Sequence, residues 1–379
     1  MESNPKIHPL FEQERPSWEI PFADDSNAVM SVMPGESNKT FYDPIMHRQV
    51  HWEQDVYCPA LTIYEGKICG LYRAFGDDEE WRLGYAQSDD GVHFERSAQV
   101  ALYPRPEDEF LGALRTSGLS ITYGDPHVIA DTDGTFYLYF NFLHFGNTTN
   151  DQQLVVATSR DLRVWQVRGR IFASEALLDR ASIPERSPWR LCVATVVSRL
   201  EGERLVAARI RGKYWMYFSC YATQGDSAMA MATSDNLVTW KVLRDDQGQL
   251  VNALPARPGR FDSWYTDPVA AVLRDDGVLL IYNGVNQHPE EGGEPRLQYY
   301  AHYPAQALFA RDNPARLIQR SMSPFKGGDA ELEKMPIVFW TAPVYEAWSL
   351  VPFRGNWLLY WNHVFGRRSV GLWKAPLDS

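Results

Sequence analysis

The chain has little covalent cross-linking to draw on: four cysteines in 379 residues, Cys58, Cys69, Cys192 and Cys220, with no Cys-x-x-Cys pair. That argues against a disulfide framework or a redox motif and suggests buried, inert thiols in a reducing compartment. No apolar run has the length of a membrane helix, and residues 1–20, polar and proline-containing, lack the apolar core of a signal peptide. The expected location is cytoplasmic. Clustered Lys and Arg are also missing, and a net charge of −11 disfavours nucleic acid and anionic membrane as partners. Helical periodicity is weak; its best stretches, 174–183 and 304–311, are expected as insertions between sheet units. No linker rich in Gly, Ser or Pro divides the chain.

What the chain does have is aromatic residues, 13% of the total, with 13 Trp and 19 Tyr. Aromatic faces stack on the C–H faces of sugar rings, although most of these side chains are expected to serve strands. Sugars, being mostly neutral, suit an acidic surface.

Repetition is the strongest organising signal. Three segments share an apolar strand, a turn, and a second apolar strand ending in Ala-x-Ser before a polar turn and an aromatic: Gly84 to Phe94, Val156 to Trp165 and Met231 to Trp240. Their serines are Ser88, Ser159 and Ser234, and so near-constant a period means stacked or radial units. Five hairpins with turns at Glu65-Gly66, Asp133-Gly134, Arg211-Gly212, Asp276-Gly277 and Arg354-Gly355 join apolar strands. Five hairpins at this spacing predict an all-β fold, a single five-bladed β-propeller over residues 1–379, with 1–50 as an N-terminal extension packed on it.

In a propeller the innermost strands converge on one channel, so the residues that open those strands face one another. The openings read Asp55-Val-Tyr-Cys-Pro59, Gly124-Asp125-Pro126-His127, Cys192-Val-Ala-Thr195, Thr266-Asp267-Pro268 and Tyr345-Glu346-Ala-Trp348. Four of the five carry a carboxylate, and two share an Asp-Pro step. One Asp-Pro step is usually a turn. Two at equivalent places favour function, because Pro is tolerated at a strand start and fixes the preceding Asp as extended. Acid–base work on a glycosidic bond needs two carboxyl groups in different environments. Asp125 and Asp267 are the candidate pair, with Asp55 or Glu346 orienting substrate or tuning them. Arg73 and Arg82 are candidates for binding sugar hydroxyls, Arg82 serving equally well as a surface salt bridge. His127, His144 and His363 form no metal-ligand spacing. A nucleophile elbow, a phosphate loop and a dinucleotide fingerprint are absent, so no cofactor is expected.

Together these segments resemble glycoside hydrolase family 130, the β-mannoside phosphorylases and β-1,2-mannosidases, from about residue 50 to the C-terminus. The resemblance is carried by Asp55-Val-Tyr-Cys-Pro-Ala, Gly70-Leu-Tyr-Arg-Ala, Arg82-Leu-Gly-Tyr-Ala-Gln-Ser, Gly124-Asp-Pro-His, Arg260-Phe-Asp-Ser and Ile281-Tyr-Asn-Gly. It implies that Asp125 is the general acid, matching the Asp of the family's Glu-Asp-Pro-Arg motif, and that Asp267 stands where the hydrolytic branch has a candidate basic Glu. The chain departs from the family at the pocket. Gly124 and His127 replace the motif's Glu and Arg, Ser219-Cys220 replace a second Glu, and His363-Val-Phe stands where Ala-Asp-Ser is usual. His127 and His363 thereby join the candidate substrate-binding residues.

Phosphorolysis needs several cations around inorganic phosphate, so the change of Arg to His127 favours an inverting hydrolase. The alternatives are a phosphorylase with an unusual phosphate site, a carbohydrate-binding propeller without catalysis, and a protein-interaction scaffold. The expected partner is an oligosaccharide or glycoside. Pairing of two copies is compatible with the sequence but marked by no residue.

Overall fold

The computed structural model describes residues 15–24, 29–31, 37–108, 120–145, 151–172, 190–221, 227–325, 345–364 and 368–378. The chain is all-β; among the described residues helix is limited to a single 3-10 turn, Pro289–Glu291. The expected insertion at 174–183 lies outside the described residues.

Among the described residues five antiparallel strand groups, called sheets one to five below, follow one another along the chain. The second, third and fourth are joined by short parallel pairings of Val206 with Ala130 and of Val197-Ser198 with Ala271-Val272. Sheet one runs Asp55–Tyr64, Lys67–Phe75, Trp81–Ser88 and Glu95–Leu102, and sheet two Ser120–Ala130, Phe136–Phe145, Asp151–Ser159 and Gln166–Arg170. Sheet three pairs Arg190–Glu201, Lys213–Tyr221, Ser227–Ser234 and Trp240–Val242 in order. Sheet four holds Tyr265–Leu273, Val278–Val285, His302–Ala310 and Asn313–Arg320. Sheet five holds Tyr345–Phe353, Asn356–Val364 and Arg368–Pro376, and its outer edge is completed from the N-terminal side by Ala23–Asp24 and Met30–Ser31.

The first strands of successive sheets touch in chain order, and the first strand of sheet five returns to that of sheet one. Apolar cores lie between neighbours. Leu71 and Leu83 of sheet one pack with Phe136 and Phe140 of sheet two, and Val156 meets Met216 and Trp240 of sheet three. Tyr217 and Met231 meet Leu280 and Phe309 of sheet four, and Ile281 meets Leu350 and Trp361 of sheet five. Val351 and Tyr360 then return to Leu61 and Ile68 of sheet one. Each sheet is thus covered on both faces, which is why its central strands read as continuous apolar runs.

Of residues 304–311, expected as an insertion with helical character, 304–310 are instead part of His302–Ala310, the third strand of sheet four, paired on both sides. Burial on both faces overrides the helix propensity of its Ala- and Leu-rich sequence.

The repeated serines close a turn at the end of the third strand in sheets one, two and three. Ser88 Oγ accepts from the backbone N–H groups of Asp90 and Gly91, Ser159 from Asp161 and Leu162, and Ser234 from Asn236 and Leu237. The Asp or Asn two residues on accepts from the next two N–H groups in turn. A short polar side chain satisfying local backbone donors is what the Ser-x-Asp/Asn spacing provides. In sheets two and three the closing Trp165 and Trp240 donate from the indole N–H to the carbonyls of Leu162 and Leu237.

Every first strand also carries a β-bulge. Pairing slips between Tyr57 and Ala60 in sheet one, at Asp125-Pro126 in sheet two, between Leu191 and Ala194 in sheet three, between Pro268 and Ala270 in sheet four, and between Ala347 and Ser349 in sheet five. Bulges re-aim side chains, and here they sit where the five strands meet.

Candidate active site

The bulge of sheet two sets the backbone of Asp125. Asn141 pairs with Gly124 and Tyr139 with His127, so Asp125-Pro126 bows out between them. Asp125 has φ 48°, in the left-handed region rather than the extended conformation expected of a residue before proline. The bulge outweighs the proline preference, and Asp is among the residues that tolerate this region. Trp348, from the bulge of sheet five, donates its indole N–H to Pro126 O at 3.1 Å and pins the turn.

Three sheets converge on the Asp125 carboxylate. Arg73 Nη1 donates to Oδ1 and Asn141 Nδ2 to Oδ2, while Cys192 Sγ lies 3.2 Å from Oδ2 and Cys58 Sγ 4.0 Å from Oδ1. The Arg73 guanidinium lies between the rings of Tyr57 and Trp81, 3.9 Å from each centroid. Burial works against its charge, but Cys58, Tyr57 and Asp125 around it raise its pKa above the ordinary arginine value. Gly124 makes room for this arrangement: a Cβ there would lie 2.7 Å from Asn141 Oδ1 and 3.1 Å from Trp81 Cε3. The Glu that the family motif has at this position does not fit around Asn141 and Trp81 as they are placed here.

A second group faces the first. Asp267 Oδ1 accepts from the Tyr221 hydroxyl, and Glu346 Oε2 accepts from Asn362 Nδ2 at 2.9 Å. His302 Nε2 lies 4.0 Å from Asp267 Oδ2 and 3.7 Å from Glu346 Oε1. Burial pushes Asp267 up to about 6, opposed by His302, Tyr221 and Ser219 and aided by Glu346. It pushes Glu346 up to about 7, with Asn362 opposing and Asp125 adding to the rise. Burial lowers His302, partly offset by Asp267, and lowers His127 to about 4. Both imidazoles are therefore mainly neutral at pH 7.

Four of the sequence candidates thus meet in one place: Asp125, Arg73, Asp267 and Glu346. His127 lies just beneath, its Nε2 3.1 Å from Thr195 Oγ1. Asp55 opens the first strand of sheet one opposite Phe75, two residues before Tyr57 pairs with Arg73, and accepts from the Val56 N–H at 3.0 Å. Arg82 points the other way from Trp81; it is buried against Asp78 and Asp43, each at 2.7 Å, a buried ion pair rather than a surface one. His363 pairs through its backbone with Tyr345, and its side chain lies outside the described residues.

Asn141, Tyr221 and His302 carry no motif, since each comes from a second or third strand and reaches the site only through sheet register; Asn362, also on a second strand, ends the Tyr360-Trp-Asn segment that is similar to the family. Cys58 is a buried thiol, as expected, while Cys192 is only half-buried; both have pKa values pushed well up chiefly by burial, and the surprise is their place beside Asp125. Among the described residues, Asp267, His302 and Glu346 are the group whose donor atoms lie close enough, all within 4.8 Å, to hold an ion or a single polar atom. The arrangement has the parts for acid–base chemistry on a neutral substrate: paired buried carboxyl groups, fixed by hydrogen bonds, in a site walled by aromatics.

Residues 40–253 match the model of the glycoside hydrolase family 130, described as β-1,4-mannooligosaccharide phosphorylase. The chain belongs to that family. A crystal structure of a protein from Parabacteroides distasonis assigned as a glycoside hydrolase is similar at 31% identity and a TM-score of 0.76, over 94% of this chain and 97% of the other. Another structure, from work on family 130 hydrolases that target β-1,2 mannosidic linkages in Candida mannan, is 26% identical with a TM-score of 0.79, over 97% of both chains. The 1,2-β-oligomannan phosphorylase of Thermoanaerobacter sp. (strain X514) is 24% identical over 62% of this chain and 67% of its own length.

Proposed function

We propose that this chain is an inverting β-mannoside hydrolase, a five-bladed propeller whose central pocket uses Asp125 as general acid and Asp267 as general base. The cyclic contact of the five first strands supports the propeller, as a single domain with the N-terminal strands closing its last blade. Family membership supports a β-mannosidic substrate, and the site supports an acid–base pair on facing blades.

The observation that carries hydrolysis over phosphorolysis is the charge balance around the carboxylates. Among the described residues at the site, Arg73 is committed to Asp125, and burial holds His127 and His302 in the neutral form. A phosphate dianion would meet Asp125, Asp267 and Glu346 with no spare cation from these residues, whereas water meets no such barrier. Phosphorolysis remains the second reading, because the curated relative is a phosphorylase. In either reaction Asp125 supplies the proton that the departing sugar oxygen needs, directly or through a sugar hydroxyl.

The test is turnover of β-1,2- and β-1,4-mannobiose by the wild type and by Asp125→Asn, with binding measured in parallel by calorimetry. An enzyme loses turnover in the variant and keeps binding. Binding without turnover in the wild type would instead mark a lectin-like protein.

A further inference from the structure

We infer that Asp267, Glu346 and His302 together hold the attacking water, which adds Glu346 and His302 to the catalytic residues; this rests on the glycosidase reading above. Each carboxylate is anchored from outside, Asp267 by Tyr221 at Oδ1 and by the Ser219 hydroxyl, and Glu346 Oε2 by Asn362. The other oxygens, Oδ2 and Oε1, turn toward His302 Nε2 at 4.0 and 3.7 Å. Those separations are too long for hydrogen bonds. Three polar atoms, all within 4.8 Å of one another, therefore surround a gap without bonding across it. One oxygen atom in that gap lies within hydrogen-bond reach of all three, and a bound water needs two to four such partners.

The histidine sets the direction of the bonds. Among the described residues, the buried His302 Nδ1 has no hydrogen-bond partner. A buried N–H left unpaired costs more than a bare ring nitrogen, so the proton belongs on Nε2, facing the gap. The water then accepts one bond from His302 and donates one to each carboxylate. A single lone pair is left for the sugar's anomeric carbon. As that oxygen forms its bond to C1, the C1–O bond to the leaving sugar breaks. One water proton passes to Asp267 Oδ2, and the leaving oxygen takes a proton that Asp125, paired with Arg73 in the free chain, binds once the substrate is in place. Glu346 orients the water and keeps the bulkier phosphate dianion out of the gap.

The experiment uses the full chain and β-mannobiose without phosphate. His302→Ala and Glu346→Gln are each expected to lower kcat by roughly 10- to 100-fold with little change in KM, the range of one lost water-positioning or proton-transfer contact. His302→Gln, which keeps an amide donor near the Nε2 position, should recover part of that loss. Asp267→Ala should regain turnover with sodium azide and yield α-mannosyl azide, the small anion filling the gap left by the carboxylate. Thermal denaturation of each variant separates these effects from unfolding. Phosphate-independent wild-type turnover with unchanged kcat in His302→Ala and Glu346→Gln overturns the water site alone. Wild-type turnover that requires phosphate overturns the glycosidase reading and the water site with it.

Discussion

Arg73 donates to the carboxylate of Asp125 from between two aromatic rings, Tyr57 and Trp81, and both members of the pair are about nine-tenths buried, at 11% and 9% side-chain exposure. The pair joins sheet one to sheet two where the first strands meet. A buried ion pair of this kind contributes little net stability, but removing one partner leaves an uncompensated charge. Arg73→Met should therefore destabilise the fold by about 3–5 kcal/mol, read by denaturant unfolding. Arg73→Lys should keep the charge and lose the planar stacking, with a smaller drop in stability and a large drop in kcat. An unchanged kcat in Arg73→Lys would separate the pair from catalysis.

Activity and stability should run in opposite directions with pH. Asp267 is pushed up to about 6 and Glu346 up to about 7, above the unfolded values near 4. The folded chain thus holds protons that the unfolded chain has released, so these groups favour folding below about pH 4 and that contribution is lost as pH rises through 6 and 7. A base must be ionised to act, so kcat/KM should climb over the same window. Glu346→Gln should flatten the fall in stability between pH 5 and 8, measured by thermal melts across pH. Parallel melting profiles for the variant and wild type would show that Glu346 does not titrate there.

The serine turns should be structural alone. Ser234→Ala removes the acceptor for the N–H groups of Asn236 and Leu237 and the donor to Thr239 O. A loss of about 1–2 kcal/mol is expected, as for a lost helix cap, with kcat unchanged. Ser88→Ala and Ser159→Ala should behave alike, and chemical denaturation with activity assays checks all three.

The N-terminal segment should act as a closure. Ile20 exchanges backbone hydrogen bonds with the Gln306 side chain at 3.0 Å each way, and Ala23 and Met30 pair with Lys374 and Val370 of the last strand. Deleting residues 1–31 exposes the edge of Arg368–Pro376, an invitation to aggregation. A lower melting temperature and concentration-dependent association in light scattering are expected, and a monodisperse, equally stable truncation would contradict this role.

Much of this architecture was legible in the sequence because it is periodic. The Gly-containing hairpins and the Ala-x-Ser turns recur, and each names a strand end directly. The two Asp-Pro steps pointed to Asp125 and Asp267 for the same reason. What was not legible depends on register. Asn141 reaches Asp125 because it lies opposite Gly124 across a bulge, and His302 reaches Asp267 and Glu346 from the third strand of sheet four, where residues 304–311 looked helical. The left-handed backbone of Asp125 was hidden too, since the proline after it argued for the opposite. Arg82 shows the converse: a motif residue whose strand alternation turns it away from the pocket, toward Asp78 and Asp43.

The most direct test of the central claim is the fate of β-1,2-mannobiose followed by proton NMR from the first turnover, with and without inorganic phosphate. The account predicts α-mannose as the first product at the same rate in both samples. α-Mannose 1-phosphate formed in the phosphate sample, with no release in its absence, would contradict it.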